Sequence, residues 1–564
     1  MKKFKFNIYA LGLVAAGMMP LVSSCAESFL DVESKTESNT DNFYKSETDA
    51  WRALVGCYDG WRQISSNPGI GIYVASTVMS DETYGGTGNG DGRSYQAIDR
   101  FDQSESPGDL QLYTSDWKRY YSGVYRCNEL ITRQDQIQWT EGSDKKGLYI
   151  GEARAIRAIL YFDMVRLWGN IPLFLEPVNE NRQQADPAEV YAAIIDDLKY
   201  AAENIPADAN LSADQNGRIT KYAAEGLLAR VYLYYSGYYG KEPGYTNAEG
   251  VTTGTFTKAQ ALAAVEDVIE HGPYSLVSEF KNLWPAASLV PIADNVGWDT
   301  ELSTYAGDSN PEVVLSMKFT PTQDYNGNND SNRWLVTLGM RYLNWTPYGK
   351  GWGGCTVCPS YLGKFESGDS RKSASVIDLA AEGITASADF ASSWKDWRDY
   401  TGYTIKKYSP LVYGNGLPGT DPAGTAGFME CNPEVWVLMR YSDILLMAAE
   451  LGSPDGQEYF DRVRGRAGLA SLPLTQENLM KERAVEFAFE GIRYWDLMRQ
   501  AKGGEVTALA DAVVASGGKV TNGSVEGTVT FSREKILKTK GLSQIPYDQI
   551  TLSNGVLKQN EGWY

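Results

Sequence analysis

The 564 residues are 43% hydrophobic and 22% charged, proportions of a folded globular protein that exclude a disordered tail, a collagen and a membrane-embedded transporter. Asp and Glu outnumber Lys and Arg by 71 to 52, and the resulting charge of −19 repels phosphate backbones, so no nucleic-acid partner is expected. His271 is the only histidine, which deprives zinc sites and Ser-His-Asp or Cys-His systems of their usual ligand or base. Tyrosine is about twice as common as phenylalanine and 15 tryptophans accompany it, so many aromatic faces carry a polar edge suited to a wet surface.

Lys2, Lys3 and Lys5 precede an apolar stretch, Ile8 to Val22, that Pro20 interrupts and that is too short to span a bilayer, so residues 1–24 are expected to be an export signal. Its end, Leu21-Val22-Ser23-Ser24-Cys25, resembles the lipobox of bacterial lipoproteins, which makes Cys25 the expected lipidated first residue. Loss of residues 1–24 removes three lysines and no acid, and acyl chains would hold so acidic a body on a membrane without a polybasic patch. No later stretch reaches 18 uninterrupted apolar residues, so the chain is expected to be anchored and not to span.

Helical signals dominate from about residue 43 to residue 275. In Gly151 to Trp168 an apolar stripe of Ile156, Leu160, Met164 and Leu167 runs beside Arg154, Arg157 and Arg166. Asp186-Pro187-Ala188-Glu189 supplies an N-cap, a first-turn proline and a carboxylate for a helix running toward Asn204. The next begins near Thr220, where Ala223, Ala224, Gly226 and Ala229 allow close contact, and Thr257 to Gln260 caps another that ends at His271-Gly272-Pro273. These pairs recur at about the 34-residue tetratricopeptide period without its strict consensus. The fold class expected is mostly α, an atypical tetratricopeptide-like helical-repeat scaffold spanning about 43–275 and 434–500.

Between them, residues 276–431 are rich in Gly, Asn, Ser, Pro, Tyr and Trp without periodicity, a long irregular insertion of the kind that carries function. Helical signal returns from Glu434 to Ala467 and from Thr475 to Arg499. Cys57, Cys127, Cys355, Cys358 and Cys431 remain after Cys25. Cys355-Thr-Val-Cys358 lacks the second pair a zinc site needs and reads as a local disulfide or as buried thiols.

Phe29-Leu30-Asp31, Asn42-Phe43-Tyr44 and Gly56-Cys57-Tyr58-Asp59-Gly60, following Cys25, resemble the start of the SusD/RagB family of Bacteroidota surface lipoproteins. The same family pattern continues in order through Glu152–Ala158 with Leu167–Leu173, Gly217–Lys221 with Ala229–Leu233, Arg440–Leu446, Val463–Leu469 and Glu482–Leu497. The resemblance implies one SusD-like domain over residues 25–564. It also implies a glycan-binding lipoprotein on the outer face of the outer membrane that lids a SusC-like TonB-dependent transporter and hands it oligosaccharide or polysaccharide, with no catalysis and no cofactor. The composition agrees, since sugar C–H faces pack on Trp and Tyr while hydroxyls need polar side chains at the rim. A helical-repeat adaptor binding only proteins, and a glycoside hydrolase using the carboxylates of Glu482, Glu486 and Glu490, are the competing readings. For those glutamates, charges pairing locally on an amphipathic helix is the plainer expectation.

The resemblance implies that ligand contacts come from the loop after Ser80-Asp81-Glu82 and from the insertion. Trp352, between Gly351 and Gly353-Gly354, is expected to be exposed with few side-chain neighbours; Tyr325 is its partner candidate, followed by Tyr84, Asn89, Trp345 and Trp334. Tyr84 to Gly92 lacks a phosphate-cradle ending and reads as a flexible polar rim loop. Asp324, Asn326, Asn328 and Asp330 alternate like a calcium loop but lack its glycine and closing glutamate, so no metal is expected.

Overall fold

The computed structural model describes residues 43–66, 70–109, 111–290, 299–307, 310–320, 330–412, 428–429 and 432–563. Eight helices form a continuous stack: α1 (Glu47–Ser66), α2 (Thr114–Thr132), α3 (Lys145–Trp168), α4 (Pro187–Asn204), α5 (Lys221–Tyr239), α6 (Lys258–His271), α7 (Tyr441–Leu451) and α8 (Gly456–Arg466). Each packs on the next in that order, so the stack passes directly from α6 to α7 although some 170 residues intervene. This is the helical-repeat scaffold that the spacing of caps and stripes predicts.

Local chemistry sets the helix ends. Asp186 accepts from Ala188 N at 2.8 Å ahead of Pro187, Thr220 accepts from Ala223 N, and Thr257 and Gln260 form a reciprocal capping box. Small residues set the crossings. A Cβ on Gly60 of α1 would meet Gly123 of α2 at 2.9 Å, and one on Gly226 of α5 would meet Met439 and Ile444 at 2.5 and 2.7 Å. From Ile150 to Trp168 all of α3 except Arg154 is buried, Arg157 and Arg166 included. Arg157 instead grips Asp197 of α4 at 2.7 and 2.8 Å and Asn128 of α2 at 2.7 Å.

The insertion leaves after α6 and is irregular, as expected, with short strands and turns over a small core of its own that includes Met340, Ile377, Leu379 and Trp397. The return to the scaffold is not helical at first. Trp436–Arg440 pairs antiparallel with Val313–Met317 of the insertion, Trp436 opposite Met317 and Arg440 opposite Val313. A short apolar run fits strand and helix alike, and here the partner strand decides. Thr475 to Arg499 is likewise two helices, α9 (Gln476–Glu486) and α10 (Arg493–Met498), separated where Phe489 and Gly491 turn with φ of 62° and 73°. Beyond residue 500 follow a helix Thr507–Ser516, a hairpin Gly518–Val529 and two further short helices.

Glu482, Glu486 and Glu490 do not pair locally; they meet cations brought from other segments. Glu486 binds Arg371 at 3.1 Å and Arg440 at 2.8 Å and also Arg466. Glu482 binds Arg371 at 2.5 Å and Arg464 at 2.7 Å, while Glu490 binds Lys407 at 2.7 Å and Arg440 at 2.9 Å. Glu312 joins Arg440 and Arg466, both at 2.6 Å, and Asp369 joins Arg371 at 2.8 Å. Nine of the ten residues are buried and the Arg466 side chain is 4% exposed; the five carboxylates match the five cations, with Arg464 also reaching the half-exposed Glu366 at 2.9 Å. The rings of Phe280 and Trp284 face Lys407 at 4.7 and 5.2 Å. A second chain, buried at Asp443, Arg483 and Asp496 and partly exposed at its ends, runs Arg230–Asp443–Arg483–Asp496–Arg499–Glu450 and ties α5 and α7 to α9 and α10 with contacts of 2.5 to 2.8 Å.

Removing one member of such a cluster strands its partners in low dielectric. Arg440→Met leaves Glu312, Glu486 and Glu490 short of a cation, and denaturant unfolding should show a loss of about 3–5 kcal/mol. A loss below about 1 kcal/mol would mean the cluster is solvated and contributes as a surface pair does.

Candidate functional site

Two turns from distant parts of the chain are brought together by a four-residue ladder. Strands β1 (Thr83–Gly86) and β2 (Gly354–Val357) pair antiparallel, with Thr83 opposite Val357, Tyr84 opposite Thr356 and Gly86 opposite Gly354. Thr87 N then donates to Gly353 O at 2.8 Å, so the glycine-rich turn after β1 and the Trp352 turn before β2 emerge side by side. Met340–Arg341 adds a parallel bridge to Lys350–Gly351, and Tyr342 N donates to Gly351 O at 3.1 Å.

Arg341 lies at the centre, buried beneath these turns. Its guanidinium donates to Asp396 at 2.7 and 3.0 Å, to Trp352 O at 3.3 Å, and pairs with Asp91 at 3.0 Å. Tyr342 rests on that guanidinium at 4.1 Å, and the residue is 55% exposed, held out by a left-handed backbone with φ 52°. Phe428 meets the Tyr342 ring edge-on at 6.4 Å, and Lys350 Nζ stands 4.9 Å from the Phe428 ring. The result is a rim of half-exposed aromatic faces with Asn89, Asp91, Asp396 and Lys350 around them, a set that offers C–H packing and hydroxyl-binding groups together.

The candidates named from sequence divide. Trp352 is half-buried on this rim, with Arg333 5.9 Å from its ring. Its glycines do not clear a path for ligand: a Cβ on Gly351 would strike Gly339 at 2.5 Å and one on Gly353 would strike Trp397 at 2.6 Å, so they serve close internal packing. Asn89 is exposed, its N–H held by Asp396 O at 2.8 Å. Trp345 is half-buried against the insertion's small core.

Tyr84 and Trp334 are not on the rim. Tyr84 is fully buried, donating from its hydroxyl to Ser516 O at 2.5 Å. Trp334, 2% exposed, packs 5.1 Å from Trp436 and 5.8 Å from Tyr73 along an interior cavity of about 100 Å³. Every residue of strand Thr83–Gly86 and of helix Trp334–Leu338 is buried, so neither element offers a face to solvent. Tyr325 and Cys25 lie outside the described residues, as do Asp324, Asn326, Asn328 and Cys431; Asp330 is paired with Arg62 at 2.6 Å. Tyr342 and Phe428 are the rim residues that sequence reading missed, since no periodicity marks them and only the backbone turn exposes the first.

The glycine-rich turn is anchored at its start and reaches the rim only at its polar tip. Gly85 to Gly88 are buried, and only Asn89 to Arg93 are exposed. Cys355 and Cys358 are buried free thiols, pushed above the usual thiol range by burial. Glu486 is fully enclosed and Glu482 and Glu490 nearly so, and each is ion-paired with the cations described, so none of the trio is a free carboxylate.

At the base of β1 two adjacent carboxyls diverge. Burial raises Asp81, but Arg493 at 2.8 Å and Lys364 at 3.1 Å outweigh it and bring it down to about 2. Burial raises Glu82 to about 8, offset only in part by the Phe489 N–H at 2.6 Å and reinforced by the Asp81 charge. Asp99, buried and accepting from Gly85 N at 2.9 Å, is also raised to about 8, chiefly by burial.

The chain matches the model described as "SusD family" over residues 341–563 and the model described as "Starch-binding associating with outer membrane" over residues 28–233. A SusD-like protein of Bacteroides ovatus is 26% identical over 510 residues, 86% of this chain and 81% of that one. The SusD-like protein P38 of Formosa agariphila is 24% identical over 550 residues, covering 90% and 93%. Among solved structures, a laminarin-binding SusD-like protein superposes with a TM-score of 0.68 at 26% identity, covering 92% of this chain and 99% of that one. Surface glycan-binding protein A from Bacteroides thetaiotaomicron, in complex with laminarihexaose, superposes with a TM-score of 0.70 at 22% identity, covering 92% and 100%.

The helical-repeat scaffold and its long insertion thus define the class of outer-membrane-associated SusD-like proteins. The chain belongs to the SusD/RagB family. Among the described residues no helix is long and apolar enough to cross a membrane.

A carboxyl whose folded pKa lies above its unfolded one favours the fold when protonated, so that stability is present at low pH and is lost as pH rises to the folded value. Glu82 and Asp99 should therefore make the melting temperature decline between about pH 5 and pH 8. Glu82→Gln keeps the shape and removes one titration, and its melting curve over that range should be flatter than wild type. An identical slope would show that Glu82 does not titrate there.

Proposed function

We propose that this protein captures oligosaccharide or polysaccharide at the cell surface and passes it to a SusC-like TonB-dependent transporter. The observation that carries the reading is the rim built on Arg341, where Tyr342 and Trp352 expose aromatic faces amid Asn89, Asp91 and Asp396. It sits on the scaffold of relatives whose names record laminarin and glycan binding. Sugar rings stack on such faces while polar neighbours take the hydroxyls. The protein acts as a binder without catalysis. Residues 25–564 act as one unit after loss of the export signal, anchored in the outer membrane through lipid on Cys25 and lidding the transporter's lumen through an interface well above about 1,000 Å².

Affinity electrophoresis against a polysaccharide panel that includes laminarin and starch tests the reading directly. Retention without release of reducing sugar is expected; no retention favours a protein-only adaptor, and release favours a hydrolase. On a polysaccharide that is retained, Trp352→Ala and Tyr342→Ala should each weaken binding by about 2 kcal/mol, some 30-fold, with the melt unchanged. A collapsed melt in either variant would make that ring structural, and unchanged affinity in both would remove the rim from the ligand site. Cys25→Ala should release the protein from the outer-membrane fraction, and retention as firm as wild type would refute the anchor.

A further inference from the structure

The exposed tip of the glycine-rich turn, Asn89 to Arg93, has no apolar side chain to bury, yet its backbone follows one defined path. Main-chain carbonyls in such a turn point away from one another or toward water unless a donor gathers them. Here the donor is Arg398, 5% exposed, on the segment after Trp397. Its Nη2 donates to Asn89 O at 2.7 Å and to Asp91 O at 2.9 Å. Its Nη1 donates to Gly92 O at 3.0 Å and to Gln96 Oε1 at 3.3 Å. One planar guanidinium thus reads three carbonyls in four consecutive residues, a use that its fixed fork of donors suits and that an ammonium cannot reproduce in full.

The main chain at Arg398 is itself fixed to the same turn. Arg398 N donates to Thr87 O at 2.9 Å, and Gly88 is bridged antiparallel to Trp397. Gln96, which accepts from Arg398, donates in turn to Gly86 O at 3.0 Å and to Asp399 at 2.9 Å. Burial lowers the pKa of Arg398 and nearby Arg93 lowers it further, with Asp399 and Asp91 opposing. Arg341 holds the same turn by a different means, through the side chain of Asp91. The two arginines therefore divide the work: one fixes an acidic side chain, the other the path of the backbone that carries Asn89.

We propose that Arg398 is a positioning residue for glycan binding, one that shapes the Asn89–Gly92 turn from beneath and so presets the polar side of the rim without touching ligand. Preorganisation of this kind raises affinity by removing the cost of ordering the turn on binding. The inference rests on the glycan reading of the rim for its consequence, and on the geometry around Arg398 for its cause, and the two are tested separately.

Hydrogen exchange on the full mature protein without ligand reads the cause. Arg398→Met removes the donors while keeping the chain's bulk, and amides of residues 88–93 should exchange at least about 10-fold faster while the helical stack exchanges as before. Arg398→Lys should fall between. Affinity reads the consequence: for the polysaccharide that wild type retains in the panel, laminarin being the first probe, Arg398→Met should bind about 5- to 20-fold more weakly with a melt within a few degrees of wild type. A merely structural role would lower the melt and spread faster exchange through the insertion, which overturns the proposal. Unchanged exchange at 88–93 overturns it too, as does faster exchange with full affinity. If wild type retains no polysaccharide, the glycan reading of the rim fails, and the exchange result alone decides whether Arg398 shapes the turn.

Discussion

Five acids and five bases with almost no exposed side-chain surface lock the insertion onto the rest of the molecule. The cluster joins the insertion, through Glu312, Asp369, Arg371 and Lys407, to the C-terminal segments that carry Arg440, Arg464, Arg466, Glu482, Glu486 and Glu490. Pairing of this sort rarely adds much stability over apolar packing of equal volume, but it is intolerant of a missing partner. Its effect is therefore to fix one arrangement: the insertion has a single way of lying on the scaffold that leaves no charge unpaired. An apolar interface would have tolerated sliding by a residue or a slight rotation.

That fixity matters for the rim because the rim belongs to neither body alone. Its floor is Arg341, its walls come from the turn after β1 and from residues near 350 and 396, and its frame is the ladder of β1 on β2. At the foot of the ladder Asp81 is tied to Arg493 of α10, and Glu82 accepts from Phe489 N beside the ionic cluster. Displacement of the insertion would shear the ladder. The interior charges thus set the relative position of aromatic faces that sit at the opposite end of these strands.

The scaffold was legible because caps and stripes are local. Asp186-Pro187, Thr220 and Thr257 with Gln260 announce helix starts from their own neighbours, and the structure places helices there. What was not legible depends on partners distant in sequence. Trp436–Arg440 reads as helix until Val313–Met317 is seen beside it, and Glu482, Glu486 and Glu490 read as charges pairing along their own helix until Arg371 and Arg440 arrive from elsewhere. The same holds at the rim. Tyr84 and Trp334, named behind Trp352 as ligand candidates, turn inward, since an aromatic's orientation in an irregular segment is settled by what packs around it. Tyr342 left no trace in the sequence because its exposure comes from a backbone angle.

Backbone hydrogen bonds, not side chains, decide where the two rim turns leave the ladder of β1 and β2. The tips can therefore change composition from one descendant of this chain to the next while their points of departure stay put, so that a lineage can explore new ligands on an unchanged frame. The freedom has a sharp border. At Gly86, Gly351, Gly353 and Gly354 a single added carbon would collide with backbone or with a buried ring or side chain, and there drift must stop.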